Sequence, residues 1–278
     1  MKSHFFFWII IASLSASAQN SSRTIDSLLK ILKKGSHSEQ FERYIMLSDE
    51  YSNSDLNKAE YYSYKALNKA RLVKDDSFIA LSYNNIGNIH QYKSELDSAL
   101  FFHKKTLRLR QSIKDTIGLA DTYNNIGIVY DTKGQYPDAL KYYFKALNFY
   151  ERKGDISKQA MTTTNIGIVY KAQKEYNKAL YYYKRAYELY LKTQNEFGKT
   201  TSAGNLGSIL INFKQYQESL KYSEIARKGF KQLGYNRYEV YPISNIACAY
   251  DSLHQFEFAN KKYAEAIQLF EKYENSYQ

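Results

Sequence analysis

One cysteine, two prolines and twelve glycines in 278 residues exclude several architectures at the outset. A lone thiol closes no intramolecular disulfide, so no cystine framework holds this fold. Cys248 is expected as a small residue on a helix, the alternative being a bridge to a second molecule. The few glycines build no phosphate-cradling loop, and neither a Gly-x-Ser-x-Gly turn nor a His-Glu-x-x-His pair occurs. His90 and His103 have no cysteine or acidic cluster at ligand spacing around them and read as core histidines that meet in one repeat, not as metal ligands. No catalytic constellation and no cofactor signature remain, so the chain is not expected to be an enzyme. The apolar run Phe5 to Leu14 has ten residues, where a bilayer-spanning helix needs about 20. An integral membrane segment is therefore not expected.

What the sequence does have is a period. Asn85-Ile86-Gly87, Asn125-Ile126-Gly127, Asn165-Ile166-Gly167, Asn205-Leu206-Gly207 and Asn245-Ile246-Ala247 follow one another at steps of 40 residues. Ala99, Ala139, Ala179, Ser219 and Ala259 keep the same step, as do Thr106, Ala146, Ala186, Ala226 and Ala266. Three landmarks in phase mark a solenoid, in which each unit buries its apolar face only against its neighbours.

Each unit reads as two helices. Tyr123, Ile126 and Tyr130 fall on one stripe of the first, with Gly127 beside it, and Ala139, Tyr143, Ala146 and Tyr150 line the second. Small residues let the helix backbones approach while tyrosines and leucines fill the space between. This accounts for 29 tyrosines in the chain, whose rings bury area while the hydroxyls stay wet.

These residues, Tyr123, Ile126-Gly127, Tyr130, Gly134, Tyr136, Ala139-Leu140, Tyr143 and Ala146, resemble the tetratricopeptide repeat in a 40-residue form. The closing proline of the shorter repeat is absent, and polar turns such as Lys74-Asp75-Asp76, Lys114-Asp115-Thr116 and Lys153-Gly154-Asp155 stand in its place. The resemblance implies an all-α chain, a right-handed α-α superhelix of about six helix pairs. Their expected spans are 39–74, 76–114, 116–154, 156–194, 196–234 and 236–275. The first is degenerate, and because Tyr51 to Ala59 is one residue shorter than Tyr130 to Ala139, its turn should be tighter. Pro242 lies where the last first helix should begin, so that helix starts near Tyr241 or is kinked, after a looser approach over 234–240.

The N-terminus has the form of a cleavable secretory signal over residues 1–18: Lys2, the apolar run, then Ala16-Ser17-Ala18 before Gln19. Residues 19–38 form a linker and one short capping helix, with Ile25, Leu28, Leu29, Ile31 and Leu32 on its apolar side. Cleavage after Ala18 implies a periplasmic or secreted protein whose repeat packing holds the fold without disulfides. The formal charge of +11 would suggest nucleic acid, but export argues against it, and the lysines are spread along the second helices as a solvated face. At the other end, Phe258, Ala266, Ile267 and Phe270 leave a face uncovered, through which the chain could associate with itself or dock elsewhere.

The candidate binding residues are the asparagines that recur once per repeat: Asn85, Asn125, Asn165, Asn205 and Asn245. First helices line the inner surface of such a superhelix, so these amides should form a row along a concave groove. A primary amide can pair with both backbone groups of one residue in an extended peptide. A second reading stays open, in which each amide bonds the neighbouring repeat and sets the pitch. The row is similar to the asparagine ladders of kinesin light chain and bacterial peptide-pheromone receptors. The carboxylate-clamp pattern is absent, since the adjacent positions are Asn84, Asn124, Thr164, Gly204 and Ser244. The expected function is an exported, non-enzymatic module that binds a protein or peptide segment. The alternative is the sensor portion of a signalling system, stand-alone or truncated, because signal-led arrays of this kind resemble the periplasmic regions of histidine kinases and transcriptional regulators.

Overall fold

A computed structural model describes residues 23–274; the signal segment 1–18 lies outside them. After a helix over residues 23–31, α1, come α2 (His37–Tyr51), α3 (Leu56–Val73), α4 (Asp76–Tyr92), α5 (Leu96–Ser112), α6 (Thr116–Thr132) and α7 (Tyr136–Lys153). Then follow α8 (Ile156–Ala172), α9 (Tyr176–Leu191), α10 (Glu196–Asn212), α11 (Tyr216–Gln232), a 3-10 helix (Asn236–Glu239), α12 (Val240–Ser252) and α13 (Phe256–Glu274). Among the described residues there is no strand.

The turns follow from local chemistry. Asp75, Asp115, Asp155 and Asn195 cap α4, α6, α8 and α10, each side-chain oxygen accepting backbone N–H bonds from the first turn. The second helices α5, α9 and α11 have no such side-chain cap. They are set instead by the end of the helix before. Ser94, Gly134, Lys174, Lys214 and His254 adopt left-handed backbone, and the residue after each donates back five positions, as in Glu175 N to Tyr170 O at 2.9 Å. The turn of the first pair is built differently. α2 ends at Tyr51 itself, and residues 52–55 contain no left-handed residue, so the shortened interval comes from a shorter helix. Pro242 does not interrupt α12, which starts at Val240 directly after the 3-10 helix; Pro242 sits in the first turn, where its missing N–H costs no helical bond.

The described residues divide into two compact units that part between Tyr142 and Tyr143, inside α7. In the first, α2 packs on α3 and α4 on α5; the backbones of α2, α4 and α6 also lie beside one another, whereas α3 and α5 meet only through the rings of Tyr64 and Phe102, 6.3 Å apart. In the second, α8 pairs with α9, α10 with α11 and α12 with α13; again the backbones of α8, α10 and α12 lie side by side, while α9, α11 and α13 meet only through long side chains, Tyr187 edge-on to Tyr222 at 5.5 Å and Arg227 paired with Glu265 at 3.3 Å. First helices thus form the inside of the curve within each unit.

The periodic residues make the core. Ile86, Ile126, Ile166, Leu206 and Ile246 are at most 1% exposed, and Ala99, Ala139, Ala179 and Ala259 are equally buried. In three of the triplets, at Gly87, Gly167 and Gly207, the second helix leaves no room for a Cβ. A Cβ on Gly167 would stand 2.7 Å from the Tyr183 ring, and one on Gly87 2.7 Å from His103. Of the N-terminal helix, Leu28 is buried but Leu29 and Ile31 are each 40% exposed, so it covers the end only in part. The last pair keeps Phe256, Phe258, Ile267 and Phe270 more than half exposed.

Candidate ligand-binding face

The five recurrent asparagines do not share one environment. Asn85 is buried: its Nδ2 donates to Asp49 Oδ1 at 3.0 Å, and its Oδ1 accepts a 3.4 Å bond from Ser48 Oγ. Asn125 is half-buried and donates to Asn84 Oδ1 at 3.1 Å and Asn88 Oδ1 at 3.3 Å. Both bonds reach the first helix of the preceding pair. Asn245 makes one long bond, to Gly204 O at 3.4 Å. Asn165 is half-buried and makes no side-chain hydrogen bond among the described residues. Asn205 Nδ2 is buried without an acceptor, a condition that costs about 1–3 kcal/mol and that an incoming oxygen would offset.

The row therefore splits by chemistry. Asn85 and Asn125 tie consecutive pairs together in the first unit, while Asn165 and Asn205 in the second have unused hydrogen-bonding capacity. Replacing Asn85 by Ala should lower stability by about 1–2 kcal/mol, since it strips Asp49 of its amide donor. Urea unfolding of the variant checks this.

Beside the free amides lies a cleft of about 370 Å³ between α8, α10 and α12. Phe197, Phe230, Tyr238 and Tyr241 form its wall. Phe230 and Tyr238 stack with centroids 5.6 Å apart, and Phe197 meets Tyr238 edge-on at 6.1 Å. The wall exists because the 3-10 helix stands where the other pairs have a short capped turn. Asn205, Asn245, Ser208 and Lys171 supply the polar lining. Lys171 Nζ donates to Ser208 Oγ at 2.6 Å, and burial lowers its pKa. Among the described residues no carboxylate pairs with it.

The periodicity passed over this cleft. Lys171 falls at a position that is Gln91, Asp131, Ile211 and Asp251 in the other repeats. Its one sequence signal was a break in the pattern. The two histidines also part ways. His90 Nδ1 bonds Glu95 Oε2 at 2.6 Å and its ring stacks on Phe102, whereas His103 is fully buried with neither ring nitrogen bonded. Among the described residues no group of histidine, cysteine and acidic side chains could hold a metal. Cys248 is a half-buried free thiol, 3.4 Å from the Tyr263 hydroxyl, whose pKa that contact pushes up to about 12.

Helix pairs stacked at this period, with small residues at the seams, are the repeated unit of a tetratricopeptide-repeat solenoid. The family model for the tetratricopeptide repeat matches residues 78–152 and, one period on, 118–192. No curated protein sequence matches the chain.

Solved structures show the same fold at low identity. A signal transduction ATPase with numerous domains and a tetratricopeptide repeat sensor, from Pyrococcus horikoshii, is similar with a TM-score of 0.76 and 19% identity, covering 96% of this chain. This chain spans 42% of that protein. Aspartyl phosphate phosphatase F from Bacillus subtilis is similar with a TM-score of 0.67 and 13% identity, over 90% of this chain and 68% of that one. BtubC from P. vanneervenii aligns over 94% and 91% of the two chains, with a TM-score of 0.57 and 16% identity. At these identities the likeness is one of fold alone.

Proposed function

We propose that the chain is an exported, non-enzymatic interaction module that binds an extended protein or peptide segment along its first helices, in the periplasm or outside the cell. The observation that carries the reading is the unused hydrogen-bonding capacity of Asn165 and Asn205 on adjacent first helices. Exposed Met161 and Ile168 flank Asn165 on the same helix, so apolar contact accompanies the amides. Each peptide hydrogen bond contributes about 0.5–1.5 kcal/mol, which gives modest affinity that tolerates sequence.

The test is selection from a random heptapeptide library, acetylated and amidated at its ends, on the chain from Gln19 to Gln278. Enriched peptides should bind the Asn165→Ala/Asn205→Ala double variant at least tenfold more weakly, with its melting temperature within a few degrees of the parent. No enrichment on the parent chain would overturn the reading. Export is tested by N-terminal sequencing of protein from the producing cell's envelope, which should begin at Gln19.

A sensor role is the second reading, favoured by the Pyrococcus relative, whose repeats are described as a sensor. A membrane helix with a kinase or regulator segment encoded beside this chain would support it.

A further inference from the structure

Resting on the peptide-binding reading, we infer that the cleft between α8, α10 and α12 is an anchor pocket for an internal Asp or Glu with an aromatic or large aliphatic neighbour. The pocket is built for a carboxylate. Lys171 is its one charged lining residue, held by a single hydroxyl, Ser208 Oγ at 2.6 Å. The other polar groups offer N–H donors in surplus, with Asn205 Nδ2 unpartnered and Asn245 Nδ2 held only by its 3.4 Å bond. A half-buried ammonium among surplus donors matches an acceptor that carries negative charge.

The wall calls for the second half of the anchor. Phe197, Tyr238 and Tyr241 are 39%, 41% and 67% exposed, so the cleft that Lys171 lines presents aromatic surface to solvent. A volume near 370 Å³ holds one large side chain and a neighbouring carboxylate. Thr164, Gly204 and Ser244 add no second positive charge on the same helices. Asn165, Asn205 and Asn245 step across α8, α10 and α12, so a bound chain runs on past the pocket. The anchor is therefore an internal residue and not a chain terminus.

The same capped heptapeptide library tests this. The parent chain should enrich Asp or Glu next to Phe, Tyr, Trp, Leu or Ile. Lys171→Met should weaken the selected peptides about tenfold, as loss of a charged hydrogen bond requires. Lys171→Glu should turn the preference to Lys and Arg. Tyr241→Ala should erase the preference for the apolar neighbour while keeping the acidic one. Lys171→Arg retains the charge and should retain the selection, which separates loss of charge from loss of fold.

Enriched peptides that lack acidic residues, or that bind Lys171→Met and Lys171→Glu as well as the parent, would overturn the anchor and leave the peptide-binding module standing. Enrichment only when the C-terminus is free would assign the pocket to a terminal carboxylate and overturn it too. So would binding of a sulfated hexasaccharide with no acidic peptide enriched.

Discussion

Tyr183→Ala is expected to lower the stability of the chain by about 3–5 kcal/mol, the range for emptying a large aromatic side chain from a packed core. Tyr183 is 2% exposed and packs with Ala179, Leu206, Ile209 and Leu210. The Cδ1–Cε1 side of its ring lies against Gly167, so the two positions are one device. Gly167→Ala should therefore be costly as well, by about 1–3 kcal/mol, because the new methyl meets ring carbons 2.7 Å away and neither backbone nor ring has room to give. Urea unfolding reads both variants, and native-state hydrogen exchange should place the loss in α8 to α11. In a repeat array each pair leans on the next, so exchange confined to α9 alone would argue that the seam is looser than its burial suggests.

The second large effect is a dependence on acid. His103 is buried beside Gly87 with no partner on either nitrogen, and burial, followed by the charge of Arg110, lowers its pKa from 6.5 to about 4. The folded chain therefore keeps the ring neutral where the unfolded chain protonates it. Between these values the unfolded state holds more protons, so stability rises with pH and falls on acidification. Across the window from pH 6.5 to 4 the loss amounts to about 3 kcal/mol. Burial raises the carboxyl of Asp131, which acts in the opposite sense, so the comparison has to be between variants. His103→Phe, a shape close to Tyr143 and Tyr183 at the matching positions, should flatten the wild-type slope in urea titrations at pH 7 and 4.5. An unchanged slope would mean that water or another partner reaches the imidazole.

Much of the fold could be read from spacing alone. Ile166, Gly167 and Ala179 are placed by a step of 40 residues, and side chains repeated at one step must meet the same kind of neighbour. The bonds of the amides could not be read that way. Whether Asn125 reaches Asn84 and Asn88 depends on how far one helix pair rotates against the next, which no single repeat encodes. Lys174 and Lys214 in left-handed turns were equally hidden, because only Gly134 at the matching position announces that backbone. The cleft was the least legible part. Lys171, Tyr238 and Tyr241 are departures from the repeat, and a reading built on recurrence looks past departures.

In three helix pairs a tyrosine of the first helix lies nearly parallel over one from the second: Tyr51 on Tyr62, Tyr130 on Tyr142 and Tyr170 on Tyr182, with centroids 5.4 to 5.6 Å apart. The chain's single tryptophan is Trp8, within the segment that the proposed signal cleavage would remove. Phenol chromophores held rigidly at contact couple to one another, so near-ultraviolet circular dichroism should carry a separate signature from each of these pairs. Phenylalanine placed at one member of a pair would silence that signature alone, giving an optical label for following which hairpin opens first.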